Sequence, residues 1–176
     1  MKMKKNKEIR LYNIILPIWL LLFLPSWLWL LVVPANYGID YLITRWSMKH
    51  LNIASYKEKA LKHSWKICLA GFVSDFVGAL FLFAVLLILD TSVFRKAGNT
   101  IDMIYRGLMW NPFEDLIGFL IIVLSIVIAG ICIYLLDSYV LKKDTDLDAS
   151  QAKRIALHLA ILTAPYLYLL PSSLIY

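Results

Sequence analysis

Asp75 is the one charged residue inside the apolar run 67–89. A charged side chain at the centre of a bilayer costs roughly 2.5–3.5 kcal/mol on insertion scales, so such a group faces other helices and has either a partner or a task. It lies nine residues beyond Lys66, roughly 13 Å along a helix at 1.5 Å per residue. Gly71, Ser74 and Gly78 surround it at helical spacing. Two kinds of chemistry fit: a protonatable or cation-coordinating group, and a structural carboxylate held by hydrogen bonds from a neighbouring helix.

Other polar groups share its expected depth. Asn36 and Asp40 stand four residues apart on one face, beside Gly38 and after Pro34, where a kink frees backbone carbonyls. Asp137 falls near the end of a third apolar run, and His158 lies one turn beyond Arg154 in the last one. Asp75, Asp40, Asn36 and Ser74 supply oxygen ligands for a cation or a proton, with His158 as a relay near neutral pH. The same acids beside Arg45, Lys66 and Arg154 offer a headgroup-level pocket for lipid-phosphate chemistry. A third reading makes them helix locks in an accessory subunit. The chain has no Gly-rich phosphate loop, no His-Glu-x-x-His helix, no Gly-x-Ser-x-Gly elbow and no multi-Asp motif for two-metal phosphotransfer. No catalytic residue, cofactor or particular metal is therefore assigned, and an enzyme is the weakest of the three readings.

The elements that position these groups follow from composition. Of 176 residues 61% are hydrophobic and 17% charged, against about 45–50% and ~25% in soluble domains. The fold class expected is an all-α integral membrane protein forming a single membrane domain over 1–176. At about 20 residues per crossing the chain leaves no room for a separate catalytic or nucleic-acid-binding domain. The net charge of +6 is read as orientation and contact with anionic lipid, not as nucleic-acid binding. Cys68 and Cys132 both lie in apolar runs, giving no basis for a disulfide framework. The uncharged stretch 11–39 spans 29 residues, well beyond the 7–15 of a signal peptide's apolar core, so it reads as a retained anchor.

That stretch carries Pro17, Pro25 and Pro34, and Pro25-Ser26 offers a break at its middle. A single crossing would put eight Lys and Arg inside and ten outside, whereas turning back near Pro25 puts fifteen inside and only Arg95, Lys96 and Arg106 outside. The positive-inside rule selects the second arrangement. The expectation is a helical hairpin at 11–46, spanning or re-entrant, then a cytoplasmic basic segment at 47–65 and three transmembrane helices at 66–89, 113–140 and 151–174. The N-terminus is then cytoplasmic, the C-terminus outside, and the location a bacterial cytoplasmic (inner) membrane.

Local signals refine the pattern. Asn111-Pro112 with Glu114 and Asp115 marks a helix start, and Asp148 with Gln151 forms a capping box. Ile101, Ile104, Tyr105 and Leu108 define an amphipathic segment on the outer leaflet, and Leu51, Ala54, Leu61 and Trp65 a lipid-facing stripe opposite Lys57, Lys59 and Lys62. Spans associate through small residues, here Gly71 and Gly78 in one span and Ala152, Ala156, Ala160 and Ala164 in the last. These build one bundle or a contact with a homodimer or membrane partner. The functional expectation is a non-enzymatic multi-pass protein that binds or conducts a small solute or ion, or serves a membrane assembly. A membrane-embedded enzyme acting on a lipid phosphate is the alternative.

Overall fold

A computed structural model describes residues 17, 19–20, 29–91, 98–144 and 147–174, and every described element is helical. The order is α1 (Trp29–His50), α2 (Tyr56–Leu89), α3 (Asn99–Met109), a 3-10 turn at Pro112–Glu114, α4 (Leu116–Asp144) and α5 (Ala149–Leu162). Two further 3-10 turns, Tyr166–Leu169 and Ser172–Leu174, follow α5. Helices α2 and α4 are long and apolar enough to cross a membrane, with mean hydropathies of 2.6 and 3.2 over their most apolar stretches. Only 22% and 33% of those stretches are buried. Their remaining apolar surface, including Val73, Leu80, Leu120, Leu124 and Val127, is exposed.

Two apolar cores stack along these helices. At the basic end, named for Lys49, Lys57, Lys142 and Lys153, Met48, Ile67, Ile133, Leu141, Ile155 and Leu159 pack together. At the far end Ala79, Leu82, Ile104, Leu108, Ile122 and Ile126 do so with Trp19 and Tyr168. Small residues allow the close approach between them. A Cβ on Gly78 would meet the Ala129 side chain at 3.1 Å and the Ser125 carbonyl at 3.2 Å, and the Ser125 hydroxyl donates to the Gly78 carbonyl at 2.9 Å. Gly130 lies against the Ala160 carbonyl. Ala152, Ala156, Ala160 and Ala164 are all buried, so the alanine stripe is used within the chain.

Several boundaries differ from the sequence reading. The segment 47–65 is not a separate interfacial helix: α1 continues to His50, a short turn follows, and α2 starts at Tyr56. In that turn Asn52 and Ser55 adopt left-handed φ values of 53° and 54°, which ends one helix and starts the next without a glycine. Leu61 and Trp65 are exposed, as a lipid-facing stripe needs, while Ala60, His63 and Ser64 are buried. The last span 151–174 is not one helix. It ends at Leu162 before Pro165, because proline cannot continue the hydrogen-bond ladder. Pro34, by contrast, sits inside the unbroken α1. Of the hairpin 11–46, α1 supplies the second arm, while the turn at Pro25-Ser26 lies outside the described residues.

The start read at Asn111-Pro112 is divided in two. Asn111 caps the 3-10 turn by accepting from the Phe113 N–H at 3.1 Å, and Asp115 then accepts from the Gly118 N–H at 2.7 Å to begin α4. The Asp148–Gln151 capping box forms as read. Helix α3 buries Ile104 and Leu108 but leaves Tyr105 exposed, and it rests on α4 where Gly107 meets Gly118.

Candidate functional site

The far end is closed by two aromatic side chains rather than by helix ends. The Trp19 indole N–H donates to the Leu108 carbonyl at 3.0 Å, and Trp19 is 1% exposed. Beyond the break at Pro165, Tyr168 turns inward, and its hydroxyl donates to the Asp75 carbonyl at 2.6 Å. Each ring fills apolar volume while its polar tip satisfies a backbone acceptor, as buried Trp and Tyr require.

Asp75 thus sits on the seam between the two cores, and the other acids gather near it. Asp40 projects from α1 onto α2, where a Cβ on Gly71 would lie 3.9 Å from its Oδ2. The Cys68 thiol lies beside the Asp40 carboxylate. Asp75 and Asp137 both lie within Coulombic range of Asp40. Asp40 on α1 thus stands within electrostatic reach of one carboxylate on α2 and one on α4. Asp40 and Asp137 are buried, and the Oδ1 atoms of Asp75 and Asp137 have no hydrogen-bond partner. The Thr44 hydroxyl, one turn beyond Asp40, is likewise buried and unpartnered. Among the described residues no Lys or Arg forms an ion pair with these acids, and Arg106–Glu114 pairs at the surface instead.

The remaining residues singled out from the sequence are placed differently. Ser74 spends its hydroxyl on the Ala70 carbonyl of its own helix at 2.8 Å. Asn36 is half-buried, one turn before Asp40 in α1. His158 is separate from the acids: its Nδ1 shares a hydrogen bond of 2.9 Å with the Ser47 hydroxyl, and its ring lies 5.2 Å from that of Trp46. Ser47 stands seven residues beyond Asp40, about 10 Å along α1 at 1.5 Å per residue. His158 is thus tied to Ser47 and Trp46 of α1 at the basic end. Among the described residues no group of three His, Cys, Asp or Glu could hold a metal ion.

Beside the acids lies a cavity of about 540 Å³ between α1 and α2. Trp29, Val33 and Tyr37 line it from one helix and Trp65, Leu69, Phe72 and Phe76 from the other, with Cys68 and Asp75 in the wall. The signal for it was present in the sequence, since Trp65, Leu69, Phe72 and Phe76 recur at spacings of four, three and four, and Trp29, Val33 and Tyr37 at four. Such stripes ordinarily mark core or lipid contact, and only the meeting of the two across Asp75 makes them a site. Comparison with protein families, curated proteins and solved structures returns no match for this chain.

Proposed function

We propose that this chain is a multi-pass membrane protein, non-enzymatic, that binds a small solute or exchangeable cation through the interior acids Asp40, Asp75 and Asp137. The observation that carries the reading is that Asp40 lies within electrostatic reach of both Asp75 and Asp137, with oxygens on Asp75 and Asp137 left unpartnered. A buried polar group without a hydrogen bond costs about 1–3 kcal/mol, a cost that ligand or proton binding offsets. The reading is strengthened by the exposed apolar belt on α2 and α4. A soluble protein rarely leaves contiguous apolar surface of that kind.

Orientation follows the charges. Lys49, Lys57, Lys142, Lys143, Lys153 and Arg154 lie at the chain ends of α1, α2, α4 and α5 that meet in the basic core. We assign that end to the cytoplasmic side of a bacterial inner membrane, facing anionic lipid. At the opposite end the Ser172 N–H donates to the Trp110 carbonyl at 2.8 Å, which favours an external C-terminus. Lys57→Cys should then resist membrane-impermeant thiol reagents in intact cells and react after lysis. Labelling in intact cells would reverse the orientation.

The binding reading is tested with purified protein in lipid vesicles, titrated with small amines while a pH dye reports displaced protons. Displacement by wild type, lost in Asp75→Asn and Asp40→Asn variants that still insert, is the expected result. Equal displacement by all three proteins, or none by wild type, overturns it.

A further inference from the structure

The cavity between α1 and α2 defines a ligand more narrowly than the acids alone. Its walls are aromatic and aliphatic, and Asp75 is the one carboxylate among them. Trp29, Val33, Trp65, Leu69 and Phe76 line it and are also exposed, so the cavity adjoins the apolar outer surface of α1 and α2. The volume, about 540 Å³, falls in the range of small-molecule sites.

A bare inorganic ion is a poor fit. Hard cations need several oxygen ligands to replace their water, and no three-residue ligand group exists among the described residues. An anion fits worse, because Asp75 stands in the wall and Asp40 lies within Coulombic range of it. A neutral apolar molecule would fill the volume but bring no charge to the Asp75 carboxyl group beside it. What remains is a charge that carries its own apolar coat. Aromatic faces attract cations within about 6 Å of the ring centroid, and one such contact already exists in this wall, where Lys66 Nζ lies 5.6 Å from the Trp65 ring centroid. Trp29 and Phe72 present parallel rings 6.4 Å apart.

We propose that the cavity between α1 and α2 binds a hydrophobic monocation, a lipophilic amine or quaternary onium, entering from the bilayer with its charge toward Asp75. The inference rests on the interior acids being a binding site, and adds the class of ligand and its route of entry. The apolar coat contributes area burial, the rings and the carboxylate contribute charge selectivity, and no covalent step is involved.

Tetraphenylphosphonium and tetraphenylborate, nearly identical in shape and opposite in charge, are suitable probes. The full chain in lipid nanodiscs is titrated with each, following tryptophan fluorescence, and empty nanodiscs are subtracted. Tetraphenylphosphonium should saturate a site and tetraphenylborate should not. Asp75→Asn should weaken the cation about tenfold or more, as loss of a charge at contact distance in a partly desolvated site implies, while Asp75→Glu should retain binding. Trp29→Leu should weaken it less and remove part of the fluorescence change. Equal binding of both probes, absence of saturation, or an Asp75→Asn affinity within a factor of about two would overturn the proposal. Small amines that displace protons while tetraphenylphosphonium fails to bind would leave the acids as a site and remove only the ligand class. Failure of both would remove both.

Discussion

The two ends of the bundle are built by different means. At the basic end four helices, α1, α2, α4 and α5, meet and bury Ile67, Leu141, Ile155 and Leu159 to 1% exposure or less. At the far end α5 has already stopped at Leu162, and the space is filled by α3, two 3-10 turns and the rings of Trp19 and Tyr168. Both ends bury apolar area, and the far end adds two buried or part-buried hydrogen bonds that each join residues about ninety positions apart, with separations of 89 and 93. Regular helices satisfy their own backbone, so their packing needs only apolar contact. At the far end the polar tips of two buried aromatic side chains need acceptors, and helix carbonyls of Leu108 and Asp75 supply them.

The comparison can be broken first at the basic end. Leu159→Ala removes a fully buried side chain there and should cost about 2–5 kcal/mol, read as a lower detergent-unfolding midpoint by circular dichroism. A cost below about 1 kcal/mol would mean that this core collapses freely and is not held by area. At the far end, Tyr168→Phe keeps the ring and deletes the bond to the Asp75 carbonyl. The expected cost is about 1 kcal/mol, and near-UV circular dichroism should change while helix content stays constant. The same substitution should not disturb the basic end, because sites without shared partners behave additively. Combining Tyr168→Phe with Leu159→Ala should therefore sum, and a clear excess would show that the two cores are one. The smallest effect is local: Asp148→Ala removes the capping box of α5, costing about 1 kcal/mol and appearing as faster amide exchange at Ser150 and Gln151.

The difference between the ends also explains what could be read from the sequence. The helices that meet at the basic end were legible because their signals are local: the Asp148–Gln151 box, the apolar run of α4 and the four-residue alanine spacing each act within a turn or two. The join between α1 and α2 was not legible, because Asn52 and Ser55 join the helices with left-handed backbone that glycine would ordinarily announce. Pro165 did announce itself, yet the length of the last apolar run outweighed it. Of the site, Asp75, Asp40 and Asp137 were visible as charges at membrane depth. Their convergence was not, since it depends on which faces α1, α2 and α4 turn to one another. His158 shared their expected depth but not their face, and Ser47 holds it elsewhere. The aromatic wall was hidden by its ordinariness, because Trp, Phe and Leu at helical spacing are what any membrane helix shows to lipid.

Tyr168 grips the backbone of the very residue that stands in the cavity wall. Any displacement of Asp75 is thus transmitted to the turn Tyr166–Leu169, and any fraying of that turn is felt at Asp75. Thermodynamic linkage makes the exchange reciprocal. A guest that steadies Asp75 must protect the amides of Leu167 to Leu170 from solvent exchange by the same free energy with which an ordered C-terminal turn tightens its hold on the guest.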